Sequence, residues 1–196
     1  MPVSTAMLRI VTSLVPLIAI IVSYGAIVNE RESGSLKILL SLPHSRADVV
    51  IGKVAGRSAA MAVPICIGFL LPALVFLVTG VPLDLIRYVG YILLVVVIAV
   101  EFVAITVGIS AAAKTSRRVI LGVIVFYFTF VTLWGAIQFP LRLLFLGGYP
   151  ASLQWIPITP NELFRTLRLI NPTGSFKIIA DAYLAGGLYE TANRPM

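Results

Sequence analysis

Four stretches of this chain are long, apolar and almost free of charge. Residues 10–28, 58–79 and 119–141 contain no Asp, Glu, Lys or Arg, and residues 88–113 contain a single acid, Glu101. At about 1.5 Å per residue, each stretch is long enough as a helix to cross a hydrocarbon layer of about 30 Å. Because 59% of the residues are hydrophobic and only 12% are charged, the composition is that of a membrane protein.

The predicted fold is therefore an all-α, polytopic membrane helical bundle. It forms a single transmembrane domain over residues 1–196 and has four spanning helices. The spans are predicted at about residues 7–28, 58–79, 88–112 and 119–140. Residues 29–57 form a cytoplasmic segment between the first two spans, and residues 142–196 form an extracellular helical segment.

The basic residues of the chain, which carries a net charge of +7, concentrate in two of the predicted connections. The first connection holds Arg31, Lys37, Arg46, Lys53 and Arg57, and the third holds Lys114, Arg117 and Arg118. The second connection holds only Arg87. Since Lys and Arg are enriched in cytoplasmic loops, this asymmetry predicts that the first and third connections lie in the cytoplasm. The chain is thus predicted to be a multi-pass protein of the cell membrane. A nucleic-acid partner is not expected, because no aromatic residues that could stack on nucleobases are interleaved among these Lys and Arg residues.

The residue types that build metal or nucleotide sites are scarce. Cys66 is the only cysteine and lies in the second span, where we expect a small buried hydrophobe. His44 is the only histidine and lies in a loop, which excludes a His-rich metal site. No G-x-x-x-x-G-K-[ST] loop occurs, so the chain is not predicted to be an enzyme or to hydrolyse ATP by that route. We expect no catalytic residue, no metal and no cofactor in this chain.

Residues 142–196 contain glycines and prolines that limit helix length. Thr159, Pro160 and Glu162 form a capping box, which predicts a short helix over about residues 160–169. A second helix is predicted from about 171–172 to the glycines at 186–187. Its apolar residues Phe176, Ile179, Tyr183 and Leu184 share one face, while Lys177 and Asp181 point elsewhere. This pattern is typical of an interfacial or re-entrant helix.

The cytoplasmic segment 29–57 has its own helix signals. Gly34 permits a turn, and Ser35 can cap a helix that runs to about residue 41 and is too short to cross the membrane. Leu42 and Pro43 end this helix. A second capping box, formed by Ser45 and Asp48, starts a helix that leads through residues 53–57 into the second span. The short helix is thus predicted to lie along the membrane surface between two spans.

The run GAIVNERESGSLKILLSLPHSRADVVIGKVAGR resembles the cytoplasmic loop of permease subunits of the ABC-2 type, especially the archaeal and bacterial branch of NosY-like permeases. The resemblance rests on a core of Glu30, Arg31, Glu32, Gly34, Ser35 and Leu36, followed by Leu42 and Pro43. It implies that the segment is a coupling helix that docks on a separate ATPase subunit, which would bind ATP and Mg²⁺. It also implies a transport function, with export favoured, a second permease as partner, either an identical copy or a related chain, and contact with membrane lipid.

Members of the resembled family have six spans, and the four predicted here correspond to the second through the fifth. We therefore expect this chain to lack the first and the last span of that arrangement. The missing spans make a non-transporting membrane scaffold or assembly protein an alternative. The transported substrate is not indicated by any residue.

Glu101 lies near the middle of the third span, where a charge is costly and usually faces protein or water. Ala104, Gly108 and Ala112 follow on the same helical face, so we expect this face to pack against a neighbouring helix. Two roles for Glu101 stay open: a polar group on the transport path, or a protonated or hydrogen-bonded carboxyl that fixes packing. An intramembrane enzyme that uses Glu101 is a weaker alternative, because no second carboxylate or histidine falls inside any predicted span.

Overall fold

A computed structural model of the chain describes residues 2–39, 41, 45–80, 84–145 and 160–185. The described residues are helical apart from short turns. In chain order the helices are α1 (Pro2–Ser23), α2 (Val28–Glu32), α3 (Ser35–Leu39), α4 (Arg46–Thr79), α5 (Leu85–Ala112), α6 (Ser116–Tyr127), a π-helical turn (Phe128–Thr132), α7 (Trp134–Phe145), α8 (Pro160–Ile170) and α9 (Pro172–Ala185). The predicted all-α fold is confirmed.

Helix α5 forms the centre of the bundle and packs against α4, α1 and α9. Its inner face is buried along most of its length through Tyr91, Val95, Ile98, Ala99, Phe102, Val103 and Val107. Apolar residues on α1 and on α9 close this core. The opposite face of α5 carries exposed apolar side chains, as expected for a helix that also contacts lipid or another protein.

Helix α4 lies at the edge of the bundle. Met61 is its one buried residue, and most of its other apolar side chains point outward. Cys66 is among the exposed residues, so the expectation of a buried cysteine is wrong. The reason is that the sequence shows that this span is apolar all round, but not which side faces the other helices.

Three helical stretches are long and apolar enough to cross a membrane, namely Leu8–Glu32, Arg46–Thr79 and Leu85–Ala112. The region predicted as the fourth span, at 119–140, forms a pair of helices, Ser116–Thr132 and Trp134–Leu143, bent by 52°. The bundle therefore has four spans only if this bent pair crosses as one unit.

The bend follows the π-helical turn, where the NH of Leu133 donates to the carbonyl of Phe128 at 2.7 Å, five residues back. The ring of Phe130 stacks on Trp134, with 5.1 Å between the ring centroids. Asn171 and Thr173, at the start of α9, donate to the carbonyl of Phe130 at 2.8 and 3.3 Å. The turn is thus held from outside its own helix, and such π-helical turns often mark functional sites.

Helices α8 and α9 form where the sequence predicts them, and α9 packs on α5 and α1. The residues expected to cap and stop these helices, Thr159, Gly186 and Gly187, lie outside the described residues, as does the side chain of Leu184. On α9, Phe176 is buried, but Ile179 is exposed and Lys177 is half-buried. The predicted apolar face is therefore partly wrong, because α9 turns its small residues, including Ala180, toward the bundle.

Candidate functional site

The first and third connections meet at one end of the bundle. Helix α1 ends at Ser23, and a turn over residues 24–27 separates it from α2. Gly34 then adopts a φ of +81°, which favours glycine, and the chain reverses into α3. The capping box of Ser45 and Asp48 is confirmed: the NH of Asp48 donates to the Ser45 hydroxyl at 3.2 Å, and the NH of Ser45 donates to the Asp48 carboxylate at 2.8 Å.

The start of α2 is held by a serine of α5. The NH groups of Ile27 and Val28, at 3.2 and 3.1 Å, both donate to the hydroxyl oxygen of Ser110. All three residues are buried. Because the first NH groups of a helix have no partner within it, Ser110 supplies from another helix the cap that α2 lacks.

Arg31 binds the C-terminal end of α5. Its guanidinium donates to the carbonyl of Ala111 at 2.9 Å and also to the carbonyl of Ala113. These carbonyls belong to the last turn and the cap of α5, where the helix has free acceptors and a partial negative charge. A cation placed there both satisfies the acceptors and opposes the helix dipole.

Glu32 binds the N-terminal end of α6. Its carboxylate accepts from the backbone NH of Ser116 at 2.7 Å and from the Ser116 hydroxyl at 2.6 Å. Thr115, in the capping position of α6, makes no side-chain cap. Glu32 therefore provides the anion that a helix N-terminus favours, from 84 residues earlier in the chain.

Glu30 contacts a third helix. Its carboxylate forms an ion pair with Lys53 of α4, and both side chains are about 70% buried, with 28% and 29% of their surfaces exposed. The second carboxylate oxygen of Glu30 is buried and accepts no hydrogen bond from the part of the chain that the structure describes. The pair fixes the N-terminal part of α4 to α2.

The structure thus brings the three predicted charged residues together, and each contacts a different helix of the same chain. We call Glu30, Arg31 and Glu32 the charged triad. Gly34 forms the turn, Leu36 is half-buried against the core, and the Ser35 hydroxyl donates to the carbonyl of Glu30 at 3.3 Å. Docking of these residues on another subunit stays a prediction.

Among the described residues of this region, the side chains on the outer surface of α3 make no such internal contacts. Lys37 is exposed and Ile38 is 72% exposed. Beside them lies a shallow groove between α3 and α4, with a volume of about 290 Å³, lined by Leu39, Asp48, Val49, Gly52 and Lys53. Leu42 and Pro43, which are predicted to end α3, lie outside the described residues, as does His44 in the loop that follows.

Glu101 is not part of this site. It lies on the outer face of α5 and is exposed together with Ala104 and Gly108. No other described helix covers this face, so the expected contact with a neighbouring helix is not found within the described part of the chain. Both roles considered for Glu101 stay predictions.

The opposite end of the bundle carries a second group of charges. The amine of Lys177 on α9 is half-buried, and the positive charges of Arg9 and Arg168 act on it. Burial and these two charges lower the pKa of Lys177, while Asp181 opposes them. Lysine in this position is therefore harder to charge than lysine in water.

Sequence reasoning missed the partners of the charged triad. Ala111, Ala113 and Ser116, together with Ser110, which holds the start of α2, lie in or beside the stretch AAAKTSRRVI at residues 111–120. Ala111 and Ala113 accept through their backbone carbonyls, which every residue type has, so the sequence gives no sign of these contacts. The two serines gave only a weak signal of these contacts. They lie on either side of the boundary between α5 and α6, and no Gly or Pro marks that boundary.

Three helices able to span, a bent pair and a short helix held between α2 and α4 define this chain as a multi-pass helical membrane protein. A family model described as ABC-2 family transporter protein matches residues 2–193. The chain belongs to the ABC-2 transporter family. The resemblance found in the sequence is thereby confirmed.

Two curated relatives are described as "Probable ABC transporter permease protein NosY". The protein from Stutzerimonas stutzeri is 31% identical over 173 residues, which cover 84% of this chain and 62% of the relative. The protein from Pseudomonas aeruginosa is 31% identical over 191 residues, which cover 93% of this chain and 66% of the relative. The chain thus spans about two thirds of the length of these relatives.

Proposed function

We propose that this chain is the membrane-spanning permease part of an ATP-binding cassette transporter, with export as its direction. ATP and Mg²⁺ would bind to a separate ATPase subunit. The observation that carries the proposal is the placement of α3: it is short, lies at the end of the bundle where the basic first and third connections meet, and is joined on both sides to spanning helices. Family membership and the similarity to permeases named NosY support the same function.

The proposed contact surface for the ATPase is the outer side of α3. Ile38 offers an exposed apolar side chain, Lys37 offers a positive charge, and the neighbouring groove offers a concave surface. A central apolar residue in a partner's pocket, with charges around it, is the usual arrangement of an energetic hot spot. When the ATPase subunits close on ATP, the force on α3 would tilt α4 and the helices fixed to α2.

The docking surface can be tested with a matched pair of isoleucines. Ile38 on α3 is 72% exposed, and Ile51 on the cytoplasmic part of α4 is 65% exposed. We expect Ile38→Asp to abolish co-purification with a co-expressed ABC ATPase subunit that the unmodified chain retains, whereas Ile51→Asp keeps it. Retention by both variants would contradict the proposed surface.

The proposed transporter works as a pair of permeases, either two copies of this chain or this chain with a related one, embedded in lipid. Such a pair would give the exposed face around Glu101 a protein partner, as an intramembrane carboxyl requires. The test is disulfide cross-linking through Ala104→Cys in a Cys66→Ser background. We expect a covalent dimer from position 104 and none from Ile67→Cys, a control on the exposed side of α4.

A further inference from the structure

The three members of the charged triad lie in consecutive positions but bind three different helices. Glu30 binds α4, Arg31 binds the end of α5, and Glu32 binds the start of α6. We infer that the charged triad is an internal latch, which makes the coupling segment α2–α3 and the α5–α6 turn move as one body. The source of that motion, an ATPase acting on α3, rests on the proposed function.

The connection between α3 and the latch is short and well bonded. The NH of Gly34 donates to the carbonyl of Arg31 at 3.3 Å, and the hydroxyls of Ser33 and Ser35 lie 2.9 Å apart. Both hydroxyls also reach the carbonyl of Glu30, at 3.3 Å. A displacement of α3 would therefore be passed to the charged triad with little loss in the turn.

The far side of the latch leads to the bent pair. Ser116 is the first residue of α6, and α6 continues into the π-helical turn and the 52° bend before α7. Two side chains of α2 form the direct polar link from the coupling segment to α6 among the described residues: Glu32 accepts from the NH and hydroxyl of Ser116, and the Asn29 side-chain oxygen accepts from the same hydroxyl at 3.5 Å. A push on α3 would thus reach the bend through Glu32, because packed helices move as rigid bodies.

The latch makes a different prediction from a docking role. Arg31 and Glu32 are exposed, so either could in principle touch an ATPase. Their polar atoms are, however, already used inside the chain by two carbonyls and by Ser116. If the latch holds, the loss of Glu32 uncouples two loops of the permease and leaves ATPase binding intact.

Distance measurement by electron spin resonance tests this inference. In the full chain, with Cys66→Ser as background, spin labels are placed on Lys37→Cys in α3 and Arg117→Cys in α6, and the protein is studied in lipid nanodiscs. We expect a narrow distance distribution, which broadens in Glu32→Ala. Thr79→Ala serves as the control, because its hydroxyl bonds only to carbonyls of its own helix, at the end of α4 far from the charged triad. If Glu32→Ala does not fold, Ser116→Ala removes the contacts of the hydroxyl with Glu32 and Asn29 and leaves the backbone NH bonded to Glu32.

A second measurement adds the co-purifying ATPase and a trapped nucleotide. We expect Glu32→Ala to retain the ATPase but to change the distance between the two labels on trapping, whereas that distance stays constant in the unmodified chain. An unchanged distance distribution in Glu32→Ala would overturn the latch, whether or not the variant still binds the ATPase. Failure of the unmodified chain to bind an ATPase would contradict the proposed function, and the width of the distribution alone would still decide the latch.

Discussion

The carboxylate of Glu32 accepts two hydrogen bonds from Ser116, one from its backbone NH at 2.7 Å and one from its hydroxyl at 2.6 Å. The two residues are 84 positions apart. A side chain from the first connection thus forms the cap of the helix that follows the third connection. This relationship turns two separate loops into one structural unit.

The buried hydroxyl of Ser110 is expected to stabilise the fold. Ser110→Ala leaves the NH groups of Ile27 and Val28 buried without an acceptor, which should lower the free energy of unfolding by about 1–3 kcal/mol. Ser23→Ala is the matched control: Ser23 is also fully buried, but its hydroxyl has no partner within the described residues. Unfolding in mixed micelles measures both, and equal effects would contradict the capping role.

Asn171 is expected to have two separable roles. Its carbonyl oxygen accepts from the NH groups of Thr173 and Gly174, and its amide donates to the carbonyl of Phe130. Asn171→Asp keeps the cap of α9 and loses the donor, so hydrogen exchange should become faster in the π-helical turn and stay unchanged in α9. Asn171→Ala should make both regions exchange faster. An unchanged exchange rate in the π-helical turn of both variants would argue against the contact with Phe130.

Gly90 is expected to be required for the packing of α9 on α5. A Cβ at this position would overlap the Tyr183 ring, whose hydroxyl donates to the carbonyl of Ile86 at 3.0 Å. Gly90→Ala should therefore cost about 1–3 kcal/mol of stability. In a Tyr183→Ala background the same change should be nearly neutral.

Gly108 on the same helix gives the control for that substitution, because a Cβ there would meet no atom within 4 Å. Gly108→Ala should be neutral or stabilising by up to about 1 kcal/mol, as helix propensity alone requires. Similar losses at both glycines would show that the cost does not come from Tyr183.

Lys177 is expected to make stability depend on pH in the alkaline range. Its pKa is lowered in the folded protein by burial and by the charges of Arg9 and Arg168, so the unfolded chain binds more protons between that lowered pKa and about 10.4. Stability should therefore rise with pH through this window. Lys177→Met should remove that part of the rise in melting temperature, and Lys37→Met, an exposed control, should keep it. An identical pH profile in Lys177→Met would refute the assignment.

The sequence was sufficient for features that depend on local patterns. The all-α class followed from uncharged runs, the helix start at Arg46 from the Ser45 and Asp48 box, and α8 and α9 from prolines and glycines. The ABC-2 family followed from the motif around residues 30–36. These signals lie within a few residues of the element that they specify.

Features that depend on distant partners could not be predicted. The bend after Thr132 has no proline at its break and is accompanied by ring stacking and by donors from Asn171, some 40 residues later. Cys66 and Glu101 were expected to be covered, but nothing in an apolar span indicates which face the bundle uses. The charged triad was recognised as a motif, yet its partners are mostly backbone groups of another loop.

The most direct test of the link between the two loops is the exchange rate of one amide hydrogen. The NH of Ser116 lies in the first position of α6, where no carbonyl of the same helix can accept from it, so its protection depends on Glu32. We predict slow exchange of the Ser116 NH in the unmodified chain and much faster exchange in Glu32→Ala, with unchanged rates from Val123 onward. Equal rates for the Ser116 NH in both proteins would contradict the account.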